Sequence, residues 1–286
     1  MSDAFRSVLI VTRAGDPGAG DLAGSIGGFL SGRGIACEVW EQRTDVDGGK
    51  AGQPGHDFDL VLVLGGDGTF ISVARNMYGS SAPLLGLDLG QVGFMAELAQ
   101  DDWQAGLSRV LAGQVPVSRR MSLSFDIERE GRVVRRGFAV NDIVVSRVVL
   151  ARLIRLHLSY GEEAISTLRA DGVIVATPTG STAYGVSAGG PIVHPGMQAF
   201  CVTPICPFLN GFRPLVLPAG REFRISVEEA RGEVNLTEDG QRAFELSRGD
   251  VVVVRRAEKD LLLVGGGDRA YFAKLSGKGF LRENEK

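Results

Sequence analysis

Runs of uninterrupted apolar residues alternate with segments of helical spacing along the first hundred positions of the chain. Residues 7–12 (SVLIVT) and 58–64 (FDLVLVL) are short, continuous and rich in β-branched side chains, as strands buried on both faces of a parallel sheet are. Residues 35–40 and 83–87 read as two more strands. Between them, 21–31 and 70–78 space their apolar residues three and four apart, which predicts helices, although Gly27 and Gly28 weaken the first. Residues 45–53 are polar and glycine-rich and read as a surface loop. Strand–loop–helix alternation of this kind predicts an α/β domain with a parallel sheet, placed at residues 1–100.

Past Ala99 the texture changes. One further helix is predicted over 101–111, with Asp101 or Asp102 near its cap. From Met121 the period is two: Leu123, Phe125 and Ile127 alternate with Ser122, Ser124, Asp126 and Glu128. Arg129-Glu130-Gly131 turns this run back into 133–140 as a hairpin. Further strands are expected at 143–146, 153–159, 172–177, 213–217, 222–227, 233–237, 242–246, 250–255 and 261–264. Many short strands between turn signals predict an all-β, sandwich-like domain over 101–265. The tail, 270–280, has helical character.

Composition narrows the function classes. The 286 residues suffice for two compact domains, and the net charge of −3 supplies no global attraction for nucleic acid or an anionic membrane. No stretch approaches the roughly 18 apolar residues of a membrane span, and the N-terminus has no signal-peptide pattern, so the expected location is the cytoplasm. Cys37, Cys201 and Cys206 lack metal-ligand spacing and read as reduced thiols. His56, His157 and His194 likewise show no metal spacing and read as packing or surface residues, so no protein metal site is expected. The Arg119-Arg120 and Arg135-Arg136 pairs read as solvated faces.

Three segments carry candidate chemistry. The strand ending at Leu64 runs into Gly65-Gly66-Asp67-Gly68-Thr69. Bare glycine N–H groups beside a helix start make a cradle for phosphate, and Thr69 can cap the helix or donate its hydroxyl. Asp67 would repel a phosphate, so it reads as a helix cap, as a base for an attacking hydroxyl, or as a group held near a metal ion. The second segment runs from Asp171 to Tyr184 (DGVIVATPTGSTAY) and crowds hydroxyls and N–H groups after a strand, either as a ligand-binding turn or as an ordinary polar loop. The third is Asn141-Asp142, two polar residues inside an apolar run: a nucleoside-binding pair, or a solvated edge or bulge. Arg169 and Asp171 flank Ala170 and would share one face of a strand, as an ion pair or as site residues. Asp239-Gly240-Gln241 reads as a hairpin turn followed by an amide.

Together these three segments, in this order and spacing, resemble the NAD kinase family. Ser187-Ala-Gly-Gly-Pro-Ile-Val193, Pro204-Ile-Cys-Pro207 and Arg213-Pro214 extend the similarity. The first loop alone is shared with lipid kinases; the Asp171–Tyr184 run is the more specific. The resemblance implies an α/β domain followed by a β-rich domain, the last segment (266–286) returning to the first. It implies that Asp67 accepts the proton of the adenosine 2′-hydroxyl of NAD, and that Gly65, Gly66, Gly68 and Thr69 hold the phosphate donor, ATP or polyphosphate. Contacts to NAD are implied for Asp67, Gly68, Asn141, Asp142, Arg152, Arg169, Asp171, Thr182, Ala183, Tyr184, Ser187 and Gln241. A divalent ion, Mg²⁺, would be held mainly by the donor's phosphates, and a homodimer or homotetramer is expected. Asp142 stands where the family has Glu, Gly185 where Ser is usual, and Phe208 where His is frequent. A lipid or sphingoid kinase and a non-catalytic NAD(P)-binding regulator are the competing readings.

Overall fold

The structure, a computed structural model, describes residues 5–42, 58–90, 93–148, 153–208, 211–229, 232–265 and 267–281. The loop expected at 45–53, His56 and Arg152 lie outside them. The chain forms two compact units. It enters the first through β1 (Ser7–Arg13), α1 (Pro17–Ser31), β2 (Ala36–Gln42), β3 (Leu60–Leu64), α2 (Asp67–Asn76), β4 (Leu84–Asp88), β5 (Ala96–Ala99), α3 (Trp103–Leu111) and β6 (Val117–Arg120). Every residue of β3 and β4 is buried, which is why these runs carry no polar alternation. Helix α1 starts four residues before the predicted 21. The Asp16 carboxylate accepts the Ala19 N–H at 3.1 Å and Pro17 opens the first turn, two signals that outweigh the scattered glycines.

The second unit follows as β7 (Leu123–Arg129), β8 (Arg132–Ala139), β9 (Asp142–Arg147), β10 (Ile154–Tyr160), β11 (Glu163–Ala170), β12 (Gly172–Ala176), a 3-10 turn (Thr179–Thr182), α4 (Tyr184–Ser187), β13 (Ala199–Ile205), β14 (Leu215–Pro218), β15 (Phe223–Glu229), β16 (Val234–Glu238), β17 (Arg242–Leu246) and β18 (Val251–Arg256). The strands form two six-stranded sheets, ordered β11-β10-β15-β18-β7-β8 and β14-β13-β12-β9-β16-β17. Phe125, Leu156, Ile225 and Val252 of the first sheet share one core with Val145, Val175, Phe200 and Leu236 of the second, so the unit is a β-sandwich. The outer face of the second sheet is also covered: Val144, Ile174 and Cys201 pack with Val193. Strands β11 and β13 have no counterpart in the sequence reading. β11 is an edge strand whose central Ile165, Ser166 and Thr167 are all partly exposed, and Pro204 interrupts the pattern of β13.

The chain then returns to the first unit through β19 (Leu261–Val264) and α5 (Asp268–Gly277). Its seven-stranded sheet runs β2-β1-β3-β4-β19-β6, with β5 also paired to β4. The first unit is Met1–Arg119 with Leu261–Lys286, and the second Arg120–Asp260, so the boundaries near 100 and 265 both move. Helix α3 buries Leu107, Val110 and Leu111 in the first core. Leu263 of β19 pairs in parallel with Leu84, which makes the last strand of the apparent β series a member of the α/β sheet. Arg120, expected on a solvated face, is buried. No helix among the described residues is long and apolar enough to cross a membrane.

Candidate active site

In the first unit the glycine loop follows the fully buried β3. Gly65 has φ +147°, and its N–H donates to Leu87 O at 3.0 Å. A side chain there would crowd Thr69, whose Oγ1 lies 3.0 Å from the position of an added Cβ. Helix α2 begins at Asp67, with extended Gly66 at its cap and no side-chain capping bond. The exposed Gly66 and Gly68 thus stand at a helix N-terminus, where an anion is favoured.

Asp67 does not cap its own helix. Its Oδ2 accepts the Phe94 N–H and its Oδ1 the Met95 N–H, both at 2.9 Å. Gly93 lies directly against it: an added Cβ would fall on the carboxylate. The 93–96 segment is itself braced. Buried Asp88 accepts the Gly90 and Gly93 N–H groups, each at 2.8 Å. From α5, Lys274 Nζ donates to Ala96 O at 2.7 Å and Phe94 O at 3.2 Å. The Phe280 ring sits 5.9 Å from that of Phe94. Asp67 is therefore a half-buried carboxylate fixed by two main-chain donors, with a lone pair on each oxygen still available. No short motif marks Asp88, Gly93 or Lys274, and sequence reading missed all three.

In the second unit Asn141, Asp142 and the Thr-rich turn come together at one end of β12. Thr177 donates its N–H to Asn141 O at 2.8 Å and its hydroxyl to Val140 O at 2.8 Å, and accepts the Gly180 N–H at 2.9 Å. An added Cβ at Gly180 would land on the Asn141 main chain. Ser181 bonds Pro178 O and both main-chain groups of Val193. Much of the hydroxyl density of this run therefore builds the turn. Thr179 Oγ1 is the exception, buried and without a hydrogen-bond partner among the described residues. Thr182 reaches Thr179 O at 3.4 Å, Ala183 is half-buried, and Tyr184 and Ser187 are exposed on α4.

The solvated-edge reading fails for Asp142, while Asn141 is half-buried in the bend between β8 and β9. Asp142 is buried at the start of β9, opposite Ala176 of β12. Burial, with the nearby negative charge of Asp239, pushes its carboxyl up to about 7. Such a group binds its proton more tightly in the native state than in the unfolded chain, whose value is 3.8. Stability contributed here is present at low pH and is lost as pH rises through the window from about 4 to 7, at up to about 1.4 kcal/mol per pH unit. Asp142→Asn should thus stabilise the fold by roughly 3 kcal/mol more at pH 8 than at pH 5 in urea titrations. An equal gain at both pH values would show ordinary acidity at this carboxyl. A residue that lowers stability at neutral pH is the kind that function retains.

Arg169 and Asp171 do not share one strand. Arg169 ends near the close of β11, and the chain passes to the other sheet at Asp171 before β12 begins. Asp171 pairs with Arg147, which reaches its Oδ1 through Nε and Nη2 at 2.7 Å, and not with Arg169. The exposed Arg169 guanidinium lies 5.8 Å over the Phe208 ring. Asp171 stands at the opposite end of β12 from Thr177, roughly 20 Å away by strand rise. Gln241 follows the Asp239-Gly240 turn and donates its N–H to Glu238 O at 2.9 Å. Arg152 lies outside the described residues. His157 bonds Thr167 and His194 accepts the Gly196 N–H, which are packing and turn roles. Cys37, Cys201 and Cys206 are free, and burial pushes the Cys201 thiol up to about 11.

A family model described as ATP-NAD kinase N-terminal domain matches residues 31–115, and one described as ATP-NAD kinase C-terminal domain matches 140–265. The chain is 48% identical over 284 residues to an NAD kinase of Nitratidesulfovibrio vulgaris (strain DSM 19637 / Miyazaki F), covering 99% of each chain. It is 39% identical over 281 residues to an NAD kinase of Syntrophotalea carbinolica, covering 96% of this chain and 98% of the relative. Among solved structures, yeast NADH kinase complexed with NADH aligns with a TM-score of 0.85 at 24% identity, over 98% of this chain and 89% of that one. An NAD kinase from Archaeoglobus fulgidus in complex with ATP aligns with a TM-score of 0.76 at 24% identity, over 94% and 98%. At that identity the two structures show a common fold.

Proposed function

Because the chain belongs to the NAD kinase family, we propose that it transfers the terminal phosphoryl group of ATP, another nucleoside triphosphate or polyphosphate to the adenosine 2′-hydroxyl of NAD. The observation that carries this reading is Asp67, held at the head of α2 by the Phe94 and Met95 N–H groups. As the 2′-oxygen attacks the terminal phosphorus, the bond to the leaving phosphate oxygen breaks and the hydroxyl proton passes to an Asp67 oxygen. Gly66, Gly68 and Thr69 at the head of α2 are assigned to the donor's phosphates, and Gly65, whose N–H is held by Leu87 O, shapes the loop that lets the phosphate chain approach. Asn141, Asp142, Thr182, Ala183, Tyr184, Ser187 and Gln241 are assigned to the dinucleotide, with Arg152, Arg169 and Asp171 as further contacts.

A divalent cation, Mg²⁺, belongs to the same proposal. It would be carried mainly on the donor's own phosphate oxygens, because Mg²⁺ takes few protein ligands and keeps several waters. It would neutralise phosphate charge there. Work in the cytoplasm, in keeping with three free thiols, and assembly as a homodimer or homotetramer complete the reading. The test is a coupled assay for NADP formation with ATP, other triphosphates and polyphosphate as donors. NADP formation with at least one of them is expected. NAD binding without product from any donor would leave a non-catalytic NAD-binding protein instead, and turnover of a diacylglycerol rather than NAD would indicate a lipid kinase.

A further inference from the structure

The turn between β16 and β17 does more than reverse the chain. Asp239 and Gly240 both have positive φ, +52° and +63°, in the three-residue turn that joins Glu238 to its strand partner Arg242. Any Asn, Asp or Gly would satisfy that geometry, yet the Asp239 side chain is fully engaged. Its Oδ2 accepts the Val140 N–H at 3.1 Å, and its Oδ1 accepts the Asn141 and Asp142 N–H groups at 2.7 and 3.2 Å. Its own N–H returns a bond to Asp142 O at 2.9 Å. Three consecutive N–H groups converging on one anion form the kind of main-chain nest that elsewhere binds phosphate. Here the protein fills it with its own carboxylate.

We propose that Asp239 is a positioning residue for NAD: by gathering the 140–142 main chain it presents Asn141 and Asp142 to the dinucleotide before the substrate arrives. The inference rests on the assignment of Asn141 and Asp142 as NAD contacts. With the nest occupied, no N–H of this stretch is left for a phosphate, so the ligand part received here is a neutral one carrying hydroxyl or amide groups. Asp239 also supplies the negative charge beside Asp142. The other charged groups at this corner are Glu238 at the end of β16 and its partner Arg242 on β17, while β12 contributes apolar Ala176.

Asp239→Asn keeps a residue that tolerates positive φ but offers one acceptor oxygen in place of two. The KM for NAD should rise about tenfold with kcat within about threefold. Any pH dependence of that KM that follows the Asp142 carboxyl should move to lower pH than in the parent, because the charge that helps Asp142 keep its proton is gone. A folded variant with parental KM and an unmoved pH profile overturns the proposal. Asp239→Gly, which suits the turn equally but bonds none of the three N–H groups, should show a larger rise in KM. The parent enzyme supplies a measurement independent of any variant: the Val140, Asn141 and Asp142 amides should be protected from hydrogen exchange in free protein. Fast exchange that slows only on NAD addition would sink the idea. NADP formation by the parent separates the two levels. If the parent makes none, the proposed function fails; if it does and Asp239→Asn is normal, only this inference fails.

Discussion

Asp67→Asn is expected to lower kcat for NADP formation by about three orders of magnitude while KM for NAD stays within roughly tenfold. The amide cannot take the 2′-hydroxyl proton, yet it keeps the size and most of the placement of the acid. One complication follows from the geometry. Both Asp67 oxygens accept main-chain N–H groups, so the amide NH₂ must face either Phe94 or Met95, donor against donor. Loss of that bond costs about 1–3 kcal/mol and loosens the 93–96 segment. Thermal midpoints therefore accompany the kinetics. If the variant melts near the parent and still turns over within tenfold of it, the proton has another acceptor. If turnover falls only in proportion to unfolding, Asp67 is a brace and not a base.

The second large effect belongs to Gly180. Gly180→Ala places a methyl group on the Asn141 main chain, which cannot yield as a flexible side chain would. The 3-10 turn has to lift away from β9, breaking the bonds that join Thr177 to Asn141 and Gly180. Overpacking of this kind costs about 3 kcal/mol. The thermal midpoint should fall by several degrees and KM for NAD should rise more than tenfold, because the displaced residues are those assigned to the dinucleotide. A parental melting curve with parental KM would show that the turn and the Asn141 segment separate freely. The contrast with Asp67→Asn is informative: that change acts on kcat, this one on KM and stability.

The β-sandwich was readable from its period of two, and the parallel sheet from its uninterrupted apolar runs. Both patterns report burial on one or two faces of a strand, a local property. The Gly65–Thr69 loop was readable because it ends such a run. The domain boundaries were not, because α3 and β19 look alike wherever they pack. Only the order of strands in the sheet shows that Leu263 belongs beside Leu84. Strand β11 escaped notice because Ile165, Ser166 and Thr167 at its centre are all partly exposed on the sheet edge, so their types follow no alternation.

Residue types and their spacing were sufficient to single out Asp67, Asn141, Asp142 and the Thr-rich turn, since each is a chemical exception within an apolar neighbourhood. Which group each of them meets was settled by the fold alone. Asp67 finds its donors 27 and 28 residues away, Asp171 its arginine 24 away, and the 140–142 main chain its carboxylate 97–99 away. Hydrogen bonds act over about 3 Å, and separations of that length along a chain close only when sheets assemble. The same assembly removes Asp142 from water, and with it the ordinary acidity that its name alone would suggest.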